Sequence, residues 1–292
     1  MTPPILSSIT PCLERYDALL LDPFGVLVHS GGAIDGAVAL IHHLHATAYP
    51  YLVLTNDASR SVEALATWYG SLGMPIPPDR IITSGSLLTN AWRELDLHGA
   101  ATVVLGTPDS HRYVRQAGGE IVELTWDVDA DVLAVCDDHG FDLLESLDRA
   151  VSLLYRRFDQ GRPVHLLLPN PDLLYPRGGG RFGFTSGAIA LLLEAALDKR
   201  YPGQGPWFRR LGKPFAPIFV EGAGRLGTTR ALMVGDQLET DIRGARQFGL
   251  DAALVSTGLA EHLQDLDALP WPPTWILTSI APEPCPDSPN RP

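Results

Sequence analysis

The chain has little cysteine. Cys12, Cys136 and Cys285 are scattered and odd in number. That excludes a disulfide framework or a zinc site and indicates a reduced, cytosolic protein. Basic residues are also short, 22 against 34 acidic, for a net charge of -12. This balance disfavours binding to the phosphate backbone of a nucleic acid. A small anionic substrate remains compatible, because a local site can be positive within an acidic protein. No apolar run is long enough to span a bilayer, so no membrane partner is expected. The N-terminus lacks the basic segment and long apolar stretch of a signal peptide. There is no internal repeat. Hydrophobic residues make up 45% of the 292 and charged residues 19%, which excludes a disordered chain and suits one large domain or two medium ones.

The stretch from Asp17 to His29, D-A-L-L-L-D-P-F-G-V-L-V-H, organises the rest. Leu19, Leu20 and Leu21 read as a strand of a parallel sheet, buried on both faces. Pro23 cannot donate to a sheet ladder, so the strand ends on Asp22, and Gly25 permits a tight turn. Ligands of open α/β sheets sit beyond the carboxyl ends of strands. Asp22 therefore reads as a nucleophile or metal ligand, or else as an aspartate bonded to its own turn.

Short apolar runs and helical segments then alternate. Ser7 to Leu13 reads as a helical turn and Ala37 to Ala46 as a helix. Tyr51 to Leu54 is a strand ending on Thr55-Asn56. Ser61 to Leu72 and Leu87 to Leu95 read as helices flanking a strand at Arg80 to Thr83. A second series has strands at Thr102 to Leu105, Val132 to Val135 and Val164 to Leu168, with a long helix at Leu143 to Phe158. Gly178-Gly179-Gly180 marks a flexible return before a helix at Ser186 to Leu197. Tyr201 to Arg210 reads as a loop and Pro214 to Ala223 as a helix start. Ala231 to Val234 and Ala252 to Val255 are strands around a helix at Ile242 to Phe248. Pro282 to Pro292 is a polar, proline-rich tail. The alternation predicts an α/β fold with a doubly wound parallel sheet.

Four pieces carry chemistry. Asp22 is the first. In Thr55-Asn56, a hydroxyl and backbone N–H groups suit an anion, or a helix cap. Gly212-Lys213-Pro214 sets a cation ahead of a helix start, where it would sit near bound phosphate, or else Lys213 is a solvated surface lysine. Gly235-Asp236 through Thr240-Asp241 places carboxylates at a strand end and in the next turn. A hard cation such as Mg²⁺ wants such oxygens, although they also suit a helix N-terminus.

These pieces, in this order, resemble the four motifs of the haloacid dehalogenase superfamily of phosphohydrolases. Ile82-Thr83-Ser84, Asn170-Pro171-Asp172, and the run from Gly244 to Gly249 before Thr257-Gly258 resemble its NagD-like members, which include nucleotide, pyridoxal-phosphate and phosphoglycolate phosphatases. The resemblance runs from Tyr16 to about Ser279. It implies a doubly wound core at 1–87 and 181–292 and an inserted α/β cap domain at 88–180. It implies a nucleophilic Asp22 that forms an aspartyl-phosphate. Thr55, the Asn56 backbone and Lys213 would bind the phosphoryl group. Mg²⁺ would be held by Asp22, the backbone carbonyl of Phe24 and Asp236, with Asp241 in support. The substrate would be a small phosphorylated metabolite, and a homodimer is allowed.

One departure stands out. The family's phosphatases carry a second aspartate two residues after the nucleophile, as general acid and then base. Here that residue is Phe24, which has no proton to give. Losing such help typically costs about 10²–10⁴-fold, so low or narrow activity is expected unless Asp57, His29 or a cap residue substitutes. Two alternatives stay open: a non-catalytic phosphate-binding or regulatory protein, and a metal-independent dehalogenase, since dehalogenases have an aromatic residue at this position. Asp137-Asp138-His139-Gly140-Phe141 reads as a specificity loop or as a polar turn. Asn170 and Asp172 either reach the site or fix the Pro171 turn.

Overall fold

A computed structural model describes residues 3–205, 207–256 and 269–283. Cys285, Thr257-Gly258 and nearly all of the proline-rich tail lie outside them. The chain forms two compact units. One comprises Met1–Leu54, Ala66–Ile81 and Phe219–Pro292, the other Thr55–Leu65 and Ile82–Ile218.

The strands in chain order are β1 (Ile5–Leu6), β2 (Ala18–Leu21), β3 (Val28–His29), β4 (Gly32–Ala33), β5 (Tyr51–Thr55), β6 (Ile81–Thr83), β7 (Ala101–Leu105) and β8 (Glu120–Ile121). They continue with β9 (Val132–Val135), β10 (His165–Leu168), β11 (Leu174–Gly178), β12 (Arg181–Phe184), β13 (Phe208–Arg210), β14 (Ala231–Gly235), β15 (Asp251–Val255) and β16 (Trp275–Leu277).

The first unit is built on a sheet in the order β1-β16-β15-β14-β2-β5, with β6 beyond β5. The pairings from β1 to β5 are all parallel. In β2 all four residues are buried, as are all five of β5 and of β14. Continuous apolar runs are what strands covered on both faces require. From β2 the chain moves outward on one side to β5, and later returns on the other side through β14, β15 and β16. The end of β2 is therefore the topological switch point, where ligands of such sheets bind.

The second unit holds a five-stranded sheet in the order β13-β10-β9-β7-β8, also parallel throughout. Its core joins Leu105, Leu133, Val135 and Leu168 to Leu153 and Leu154 of the helix Leu143–Asp159, and to Ile189 and Leu193 of the helix Ser186–Arg200. Each such side chain contributes about 1.5–3 kcal/mol on burial. Caps fix the helix starts: Thr107 and Ser110 form a reciprocal capping box for Pro108–Ala117, and Asp142 accepts from Glu145 N–H at 3.1 Å.

Several local expectations are corrected. Residues 201–210 are not all loop, because Phe208–Arg210 pairs with Leu166–Leu168 as an edge strand. The three glycines are not a loose return. They turn a β-hairpin between β11 and β12, all with φ between 60° and 76°. The first helix is Thr10–Arg15, later than read, with a short strand before it. The helix Pro108–Ala117 was not anticipated. Among the described residues no helix is long and apolar enough to cross a membrane. Cys12 and Cys136 are free and buried; burial pushes the Cys12 thiol up to about 11 and raises Cys136 as well, so neither is a ready nucleophile.

Candidate active site

In the first unit, the ends of β2 and β14 bring three carboxylates together. These parallel neighbours pair Leu21 with Val234, and Asp22 N–H donates to Val234 O at 2.9 Å. Asp22 and Asp236 follow directly on the two strands. Asp241 joins them through a wide turn at Leu238–Ile242, in which Ile242 N–H reaches back five residues to Gln237 O. Turns of this π type recur at functional sites. One oxygen of each of Asp22, Asp236 and Asp241 lies within 4.8 Å of the others. Asp22 is 6% exposed and Asp241 fully buried.

Two glycines make this approach possible. Gly25 has φ +80°, and a Cβ there would stand 2.0 Å from Asp236 Oδ2. A Cβ on Gly235 would stand 2.2 Å from that of Asp241. Neither position admits a side chain while the carboxylates keep their places. Three carboxylates held this close, two of them out of water, repel strongly when charged, and a divalent cation with hard, oxygen-seeking character offsets them. The donor set therefore fits Mg²⁺.

In the second unit, Asn56 and Lys213 are both buried. Lys199 and Lys213 are the only lysines in the sequence, so a lysine buried at 3% exposure is unusual for its type. The Asn56 carboxamide accepts from Lys213 N–H at 2.7 Å and donates to Lys213 O at 2.9 Å. Its Nδ2 also donates to Asp172 Oδ1 at 2.9 Å, and Asn170 Oδ1 receives Asp172 N–H at 3.0 Å. Asp172 thus reaches Asn56, while Asn170 fixes the Pro171 turn. Thr55 Oγ1 accepts from Asp57 N–H at 3.2 Å, and Ser84 Oγ donates to Asn56 O at 2.6 Å. Sequence reasoning saw Asn56 only as a backbone donor and missed the role of its side chain, which no local pattern signals.

Asp57 and His29 both have local partners. The Asp57 carboxylate already accepts from Ser59 N–H, Ser59 Oγ–H and Arg60 N–H, and pairs with Arg60 Nε at 2.7 Å. His29 Nδ1 accepts from Gly31 N–H at 2.7 Å in the β3–β4 turn. Asp137, Asp138 and His139 form a separate cluster after β9, with His139 Nδ1 at 3.2 Å from Asp137 and 3.0 Å from Asp138. Burial raises the Asp137 carboxyl above its ordinary range.

Residues 19–120 match the family model of haloacid dehalogenase-like hydrolases, and residues 210–282 a second described as HAD-hydrolase-like. The crystal structure of a possible sugar phosphatase of the HAD superfamily from Cytophaga hutchinsonii is 31% identical, with a TM-score of 0.82 over 96% of this chain and 99% of that one. The chain belongs to the haloacid dehalogenase superfamily. Within the superfamily it is NagD-like. NagD from Escherichia coli K-12 is 25% identical, with a TM-score of 0.75 over 91% of this chain and 98% of NagD. A dihydroxyacetone phosphatase of Corynebacterium glutamicum is 26% identical over 264 residues, 90% of this chain and 88% of that protein. An acid sugar phosphatase of Staphylococcus aureus is 26% identical over 270 residues, 92% of this chain and 96% of that protein.

Proposed function

We propose that the protein is a Mg²⁺-dependent phosphatase of small phosphorylated metabolites that works through Asp22. The observation that carries the reading is the cluster of Asp22, Asp236 and Asp241 at the switch point of a parallel sheet. The similar phosphatases, named for sugar phosphates, dihydroxyacetone phosphate and ribonucleotides, support the substrate class.

Asp22 attacks the phosphorus, and the bond to the leaving oxygen breaks with its electron pair. The product is an aspartyl-phosphate at Asp22. Water then attacks that phosphorus, returns the Asp22 carboxylate and releases phosphate, its proton passing to solvent. Thr55, the Asn56 backbone and Lys213 bind the phosphoryl group. Asp22, the Phe24 carbonyl and Asp236 would hold Mg²⁺, with Asp241 in support, and the ion would supply electrostatic stabilisation of the phosphoryl oxygens.

Phe24 stands where the resemblance places the proton-donating aspartate. The leaving group therefore departs without help, and activity is low or narrow toward esters whose alcohol needs a proton. A metal-independent dehalogenase has no use for three clustered carboxylates, two of them buried, so the cluster favours the phosphatase. A screen of phosphorylated metabolites with and without Mg²⁺ tests the reading. Turnover only with Mg²⁺ is expected. Halide release without it would support a dehalogenase, and ligand binding with no turnover of any ester a non-catalytic binder.

A further inference from the structure

We propose that Ser84 and Tyr113 are positioning residues that set the loop from Thr55 to Arg60 in the shape that binds the phosphoryl group. The inference rests on the reading of Thr55 and the Asn56 backbone as phosphoryl ligands. It also gives the stretch Ile82-Thr83-Ser84 a role.

The chain from Asn56 to Ser61 has no regular structure. Buried backbone acceptors still need donors. The six carbonyls from Thr55 to Arg60 all find them, and all on two other segments. Ser84 N–H donates to Thr55 O at 2.9 Å and Ser84 Oγ to Asn56 O at 2.6 Å, while Gly85 N–H reaches Asp57 O at 3.5 Å. Side chains at the helix Pro108–Ala117 and its cap hold the rest. Ser110 Oγ donates to Ala58 O at 2.7 Å, Thr107 Oγ1 to Ser59 O at 2.6 Å and Tyr113 OH to Arg60 O at 2.7 Å. Asp109 Oδ2 accepts the next N–H, that of Ser61, at 2.8 Å.

The two segments are tied to each other. Thr83 Oγ1 donates to Tyr113 OH at 2.8 Å and accepts from Ser86 N–H at 3.1 Å. Thr83, Ser84 and Ser110 are fully buried, and Tyr113 is 5% exposed. A satisfied hydroxyl network out of water is rigid and specifies one arrangement.

An anion needs donors, and a carbonyl oxygen facing it repels it. In a trans peptide each N–H points opposite to the carbonyl before it. Holding Thr55 O to Ser84 therefore turns Asn56 N–H away from Ser84. Thr55 Oγ1 already accepts from Asp57 N–H, so its own proton is left to donate. The bonds keep the carbonyls on the scaffold side and preset a hydroxyl and an N–H for a phosphoryl oxygen.

Ser84→Ala and Tyr113→Phe each delete one hydroxyl and little else. Tyr155→Phe is the control. It deletes a phenol that donates to Ala196 O at 2.8 Å in the same unit, with no bond to the loop. Calorimetry on the full chain with Mg²⁺ measures affinity for inorganic phosphate. It should fall about 3- to 10-fold in Ser84→Ala and in Tyr113→Phe, the range of one buried hydrogen bond, and hold its wild-type value in Tyr155→Phe. Mg²⁺ affinity without phosphate should be the same in all four proteins, since the carboxylates belong to the first unit. Unchanged phosphate affinity in both variants, equal losses in all three, or a parallel loss of Mg²⁺ affinity would mean a merely structural role and overturn the proposal. Should Ser84→Ala not fold, Tyr113→Phe decides alone, because it leaves no cavity. A wild type that binds no phosphate would overturn the phosphoryl-site reading, and this proposal with it.

Discussion

The Asn56 carboxamide grips the Lys213 peptide with two hydrogen bonds, accepting its N–H at 2.7 Å and donating to its carbonyl at 2.9 Å. A side-chain amide here replaces the pairing that a neighbouring strand would give, and it does so out of water. In Asn56→Asp one oxygen still accepts from Lys213 N–H, but the other faces two acceptors, Lys213 O and Asp172 Oδ1. The variant should lose about 2–4 kcal/mol of stability, as expected for a buried charge facing acceptors. Urea denaturation checks this, and an unchanged midpoint would contradict it.

Asp22→Asn should abolish turnover while the fold persists. The carboxamide keeps the shape of Asp22 but cannot form the acyl-phosphate. Circular dichroism and a phosphate-release assay on the same preparation decide the matter; hydrolysis at the wild-type rate would remove Asp22 as nucleophile.

Asp236→Asn should weaken Mg²⁺ binding about tenfold or more, since each charged oxygen counts for a hard cation. Gly25→Ala should do the same, because its Cβ would stand 2.0 Å from Asp236 Oδ2 on a backbone with φ +80°. Titration calorimetry that finds equal affinity in all three proteins would rule out the carboxylate cluster as the cation site.

Phe24→Asp should raise the hydrolysis of alkyl phosphates more than that of aryl phosphates, by up to the roughly 10²–10⁴-fold that a general acid supplies. The wild type should cleave p-nitrophenyl or acetyl phosphate measurably and sugar phosphates poorly. Brisk wild-type cleavage of sugar phosphates would mean that another residue is the acid.

Stability should fall as the pH rises from 10 to 12. Burial pushes the phenols of Tyr16, Tyr49 and Tyr51 up to about 12, against about 10 in the unfolded chain. Below pH 10 both states are neutral and the full stability is present. Between 10 and 12 the unfolded chain ionises first, which favours unfolding. Phenolate absorbance followed together with circular dichroism should show these phenols ionising only as structure is lost. Complete ionisation near pH 10 in a folded protein would refute it.

The chain by itself determined the parallel sheet and the carboxylates Asp22 and Asp236 at the ends of two of its strands. Strands covered on both faces must read as unbroken apolar runs, and Pro23 and the Gly235-Asp236 turn must stop them, so Leu19–Asp22 and Ala231–Asp236 are legible one stretch at a time. The hairpin β11–β12 was not, because Pro176 and three glycines argue against a strand, and only pairing between Leu174 and Phe184 makes one. Phe208–Arg210 likewise becomes a strand through its register with Leu166–Leu168. Tertiary structure alone decided that Asn56 holds Lys213 across 157 positions and that Phe24 stacks on Trp68. Periodicity and turn chemistry act over a few residues, whereas these contacts exist only once distant segments are packed side by side.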